Sequence, residues 1–85
     1  MTKTLLTYAS VNPSTLEIKL ASEIINVSTK VDAVEAMREI VIAHAEWLQE
    51  FGYAVDYTIR DVMCEMTAVA DDDTIIRKYE LKPIH

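Results

Sequence analysis

Few side chains in this sequence could do covalent or acid–base chemistry, and none stands in a recognisable constellation. His44 sits among Ile40, Val41, Trp47 and Leu48, its neighbours at helical spacing. A general acid or base needs a positioned hydrogen-bonding partner. None of those four can act as one, so His44 reads as a core or interface residue. Cys64 is the single cysteine. It lies between Met63 and Glu65, with no cation close in sequence to favour a thiolate, and it reads as a small buried apolar group. His85 is assigned no role.

Asp71, Asp72 and Asp73 raise the question of a hard cation. A calcium loop spreads oxygen ligands over about twelve residues around a glycine turn, and nothing of that kind surrounds this run. The three aspartates read as a solvated turn, with contact to a basic partner as the functional alternative. There is no glycine-rich phosphate loop, no paired cysteine, no HExxH and no Ser-His-Asp spacing. No catalytic residue, metal or cofactor is expected.

What remains is a pattern of charge. Asp32, Glu35, Glu39, Glu46 and Glu50 share one side of a helical wheel. Glu35 with Glu39, and Glu46 with Glu50, are like charges at i,i+4, which destabilise a helix by about 0.2–0.5 kcal/mol per pair. Glu46 and Glu50 also approach the negative end of the helix dipole, where a cation would be favoured. No basic residue lies between Arg38 and Arg60. Such a ridge is either a solvated face or a surface complementary to a basic partner, where charge steers association. Asp71 to Asp73 extend it if their turn lies on the same side.

The element that must carry this ridge runs from Ser28 to Gly52. Its side chains separate into an acidic arc and an apolar arc when advanced by about 100° per residue, with Val31 and Ile42 out of place. Ser28 and Thr29 are N-cap candidates, and Asp32 follows Thr29 at near capping-box spacing. Gly52 is the only glycine in the chain, placed where a helix ends in the left-handed region. The apolar arc spans about 200°, wider than the roughly 100° stripe that one supporting surface needs. The sequence therefore predicts a helix of about six turns covered on two sides, by its own sheet and by something else.

Around it the chain reads largely as strands. Thr4 to Val11 suits a first strand, and Asn12-Pro13-Ser14 a turn. Leu16, Ile18 and Leu20 alternate with Glu17 and Lys19, a half-buried strand that continues through Ile24, Ile25 and Val27 after a bulge near Ala21-Ser22. A helix over the same stretch competes, because Ser14 to Glu17 is a capping box and Leu16, Leu20, Ile24 and Val27 fall at helical spacing. Tyr53 to Ile59 alternates, and from Val62 the phase shifts so that Val62, Cys64, Met66, Ala68 and Ala70 share a side. A bulge or break at Arg60-Asp61 explains this; a helical stripe through Ile59, Val62, Met63, Met66, Val69 and Ala70, capped by Thr58, is the alternative. A final strand follows the aspartate turn and ends at Pro83. The expected fold is α+β, a ββαββ antiparallel sheet packed on one long helix, with one sheet face or part of the helix left for a partner.

Composition sets the outer limits. Eighty-five residues, 51% of them hydrophobic, make a single domain spanning 1–85, near the smallest size that a core alone stabilises. A core this apolar in so short a chain makes a homodimer plausible. The net charge of −6 disfavours direct nucleic-acid binding and an anionic membrane surface, both of which need Lys and Arg. The N-terminus has no apolar run long enough for a signal peptide or membrane span. With one cysteine and no disulfide framework, the expected location is the cytoplasm.

The segment STKVDAVEAMREIVIAHAEWLQEFGYAV, residues 28–55, resembles small antitoxins of the HicB type in its cap, its alanines and a late tryptophan. The tryptophan falls about one turn further along, and that family's glycine-rich, proline-containing strand region is missing, so no family is assigned. In size and charge a small acidic ββαββ chain is similar to the compact inhibitors that phages use against host nucleic-acid machinery. The sequence thus points to a non-enzymatic protein whose acidic helix face docks on a basic surface of a protein partner, acting as an inhibitor by competition where that surface holds nucleic acid. A subunit assembling through apolar surface is the alternative, and an unrecognised enzyme a third reading.

Overall fold

The fold is α+β, a five-stranded antiparallel sheet with one helix, in a computed structural model that describes residues 2–13 and 15–83. The chain order is β1 (Thr2–Asn12), β2 (Glu17–Val27), α1 (Lys30–Glu50), β3 (Ala54–Arg60), β4 (Met63–Ala70) and β5 (Asp73–Pro83). This is ββαβββ and corrects the ββαββ expectation. Residues 54–70 fold as a hairpin of two strands about a two-residue turn, Asp61-Val62, and this division supplies the additional strand; β5 is the expected final strand. Both helical alternatives fail, because residues 17–27, 54–60 and 63–70 are paired in the sheet. Ser14 and His85 lie outside the described residues.

Strand order in the sheet is β2-β1-β5-β4-β3. The last strand is inserted between the first and fourth, so β5 joins the β1–β2 hairpin to the β3–β4 hairpin. Helix α1 leaves the end of β2 and returns the chain to the start of β3 at the opposite edge. Its packed stripe is Ala33, Met37, Val41, Ala45 and Leu48. These meet Leu6 of β1, Cys64, Met66 and Ala68 of β4, and Tyr79 and Leu81 of β5, all buried. Alternation along β4, with Cys64, Met66 and Ala68 inward and Met63, Glu65 and Thr67 outward, is the period-two pattern of a strand with one covered face.

Both helix ends close as the sequence indicates. Thr29 is the N-cap, its hydroxyl accepting from the Asp32 amide at 3.1 Å. At the C-terminus the Gly52 amide donates to the Gln49 carbonyl at 3.0 Å and the Tyr53 amide to the Leu48 carbonyl at 3.1 Å. With Gly52 at φ 91°, this is a Schellman motif, and it turns the chain directly into β3.

Strand β2 departs from expectation. Its register against β1 runs unbroken from Asn12↔Glu17 to Thr2↔Val27, so the bulge at Ala21-Ser22 is absent. Without a bulge the apolar residues keep opposite parities. Ile25 and Val27, at the base beside the helix start, take the helix side and pack on the core. Ile18, Leu20 and Ile24 are thereby sent to the other face, at 65%, 79% and 62% exposure. One uninterrupted ladder cannot place both sets inside, and the set adjoining the helix wins.

Backbone strain is confined to the turns. Leu16 has φ 60° and Asp61 φ 52°. Asp tolerates the left-handed region, whereas for Leu it costs on the order of 1–2 kcal/mol. Leu16 is 82% exposed, so its side chain recovers little of this by burial. Replacing it by Asn, Leu16→Asn, is expected to stabilise the protein by about 1 kcal/mol and raise the melting temperature by about 4–8 °C. Thermal unfolding followed by circular dichroism checks it; an unchanged midpoint would show the turn is not strained at this position.

Candidate functional site

Helix α1 fixes the geometry of both candidate features. The five ridge residues Asp32, Glu35, Glu39, Glu46 and Glu50 are all exposed. At about 100° per residue they occupy a stripe only about 60° wide, opposite the buried stripe. From Asp32 to Glu50 the row is about 27 Å long at 1.5 Å per residue. Glu35 meets the Arg38 guanidinium at 3.4 Å, a surface pair of the kind that contributes little.

The apolar arc is only partly covered. On it Trp47 and Phe51 stand at 54% and 64% exposure, while Val31 and Ile42, out of place on the acidic side, stand at 71% and 37%. Trp47 and Phe51, one turn apart, pack edge-to-face with ring centroids 4.7 Å apart. They overhang an open groove of about 360 Å³ whose other side is formed by Ser10, Asn12, Lys19 and Arg77. The groove keeps the two rings off the sheet. Trp47 and Phe51 thus form an exposed aromatic pair beside Glu46 and Glu50, at the C-terminal end of the ridge. The sequence contained this pair as part of an over-wide apolar arc; which part of that arc stays uncovered is set by where the helix lies.

The aspartate run divides. Asp71 and Asp72 are exposed at the β4–β5 turn. Asp73 is engaged within the fold, accepting from the Tyr53 hydroxyl and from the Asn12 amide group, each at 2.5 Å. These hydrogen bonds hold its carboxyl below the usual range, the tyrosine contact first, and the same contact pushes the Tyr53 hydroxyl up. They also place the β1–β2 and β4–β5 turns at the helix C-terminal end. Among the described residues no group of three or more His, Cys, Asp or Glu side chains comes together as a metal site.

His44 does have a partner, which sequence neighbours could not supply. Its Nδ1 lies 2.8 Å from the hydroxyl of Tyr79 on β5, a residue with no exposure. Tyr8 completes the cluster, 5.3 Å from each of the two rings. When Nδ1 carries no proton the hydroxyl donates to it; when protonated, Nδ1 donates and the hydroxyl turns toward Met66 Sδ, 4.0 Å away. Partial burial lowers the His44 pKa below its ordinary 6.5, helped by the Arg77 guanidinium and opposed by Glu23. Burial raises the Tyr79 hydroxyl. Cys64 is buried, and burial followed by the Glu65 charge pushes its thiol up, which is the behaviour of a packing residue.

No protein-family model, curated protein or solved structure matches the chain. No helix among the described residues is long and apolar enough to cross a membrane.

The lowered His44 pKa has a definite sign in stability. The unfolded chain takes up the proton first as pH falls below about 6.5, so the neutral imidazole's contribution is present above that pH and declines as pH falls toward the folded value. Melting temperature is expected to fall between pH 7.5 and 5.5 more steeply in the wild type than in His44→Gln. Parallel pH profiles for the two proteins would remove His44 from the linkage.

Proposed function

We propose that this chain is a non-enzymatic binding protein that captures a protein partner through the C-terminal half of α1. The carrying observation is the exposed Trp47–Phe51 pair standing directly beside Glu46 and Glu50. Large aromatic side chains at a protein surface are the usual energetic anchors of an interface. Glu46 and Glu50 edge the pair on the helix side, with Lys19 and Arg77 across the groove, and charge at the edge of an interface sets orientation and association rate. The complementary surface is therefore an apolar pocket edged by Lys and Arg. Glu39, Glu35 and Asp32 continue the acidic contact along the helix, and Asp71 and Asp72 offer further carboxylates from the same end of the molecule.

A basic surface of this kind commonly serves phosphate backbones. Where the partner uses it to hold nucleic acid, the acidic ridge competes with the phosphates and the outcome is inhibition, as the likeness in size and charge to phage inhibitors suggests. A cytoplasmic setting fits the one buried, unreactive cysteine.

A second reading has its own observation. The sheet face turned away from the helix carries Ile18, Leu20, Ile24 and Ile76 exposed, a cluster suited to assembly through apolar surface. Salt separates the readings, since ridge contacts are screened at high ionic strength whereas apolar contacts are not.

The test is capture of a partner from cell extract by immobilised chain, with the partner identified and its affinity then measured. Trp47→Ala and the double reversal Glu46→Lys with Glu50→Lys are each expected to weaken that affinity at least tenfold, about 1.4 kcal/mol. Circular dichroism spectra should be unchanged, and the wild-type affinity should drop from low to high salt. Wild-type affinity in both variants would reject the helix face.

A further inference from the structure

The first eight residues of β2, Glu17 to Ile24, are exposed without exception although they are fully paired with β1 on one side. Their other edge is the edge of the sheet. A long, regular edge strand is normally protected by proline, a bulge, charged side chains or a covering element, because its free N–H and C=O groups are a template for another strand. Of these β2 carries only the charges of Glu17, Lys19 and Glu23. Strand β2 has no proline and no bulge, and three large aliphatic side chains stand on one face of it. Such an edge has the form of half an interface.

The sequence of the strand says what fits it. Antiparallel pairing of β2 with a second β2 brings residues of the same face opposite each other, and each register is defined by the residue on the two-fold axis. An axis at Lys19 opposes lysine to lysine. One at Leu20 opposes Glu17 to Glu23, and one at Glu23 opposes that glutamate to itself. Like charges directly opposite are destabilising. An axis at Ser22 pairs no charges at all. An axis at Ala21 sets Lys19 opposite Glu23 twice, Ile18 opposite Ile24 twice, Leu20 opposite Ser22, and the small Ala21 opposite itself. Of these five registers it alone pairs opposite charges.

We propose that a second copy of this chain occupies the β2 edge, giving a two-fold dimer with a continuous ten-stranded sheet centred on Ala21. Because opposed residues share a face, both helices lie on the same side of that sheet. Ile18, Leu20 and Ile24 of the two copies merge into one strip on the other side. The inference rests on the assembly reading and gives it a geometry.

The experiment is light scattering of the purified full chain across concentration, with charge variants. Wild type is expected at twice its 9.6 kDa mass. Lys19→Glu and Glu23→Lys should each shift the midpoint of dissociation to at least tenfold higher concentration, and the double exchange K19E/E23K should restore it. Ala21→Cys is expected to form an intermolecular disulfide on mild oxidation, since opposed Cα atoms in such a pair lie within disulfide range, whereas Lys19→Cys and Glu23→Cys should not. A wild-type monomer throughout would overturn both the pairing and the assembly reading. A dimer indifferent to the charge variants and uncoupled at Ala21→Cys would overturn the strand pairing while leaving assembly through the apolar sheet face in place.

Discussion

The structure depends on how β5 is held, and β5 is held at Tyr79. Its backbone pairs with Tyr8 of β1 on one side and Cys64 of β4 on the other. Its ring is fully buried and its hydroxyl reaches His44 of the helix. One side chain thus touches both hairpins and the layer above them. These contacts lie far apart in sequence, so the loop-closure entropy must be overcome before they reward the chain. A buried phenol also has to satisfy its polar end, since an unpaired hydroxyl in the core costs about 1–3 kcal/mol. His44 meets that requirement from the middle of the apolar stripe, and no buried side-chain N or O among the described residues lacks a partner.

Fixing the helix over β5 and β4 decides what it cannot cover. The buried stripe from Ala33 to Leu48 lies on the sheet, while the outer half of β2 extends past the helix with both faces open. The same placement leaves Trp47 and Phe51 above a groove instead of in the core. At roughly 25 cal/mol for each Å² of apolar surface removed from water, leaving these side chains uncovered forfeits stability that a small protein has little of to spare. Two separate apolar surfaces are thereby left open to water, at the Trp47–Phe51 pair and on the outer face of β2.

Electrostatics distinguishes those two surfaces. Lys30 neutralises Asp61 at 2.7 Å across the helix start, and Arg38 meets Glu35. Further along the helix Glu39, Glu46 and Glu50 run on without a basic residue in the last turn. The β2 edge, by contrast, carries both signs, with Lys19 and Glu23 equally spaced about Ala21.

The helix was legible in the sequence almost to the residue, because Thr29, Gly52 and the two-sided wheel are local signals. The acidic ridge was legible for the same reason. So was the inward set Cys64, Met66 and Ala68, once the chain breaks near Asp61. Two things were not local. The pairing of β5 between β1 and β4 and the partner of His44 both join residues distant in sequence, and no spacing rule reports them. The facing of β2 was ambiguous on its own, because Ile18 with Leu20 and Ile25 with Val27 demand opposite faces. Sequence determined that both sets exist; only the tertiary structure, by seating Ile25 and Val27 beside the helix start in an unbroken ladder, decided which set would meet water.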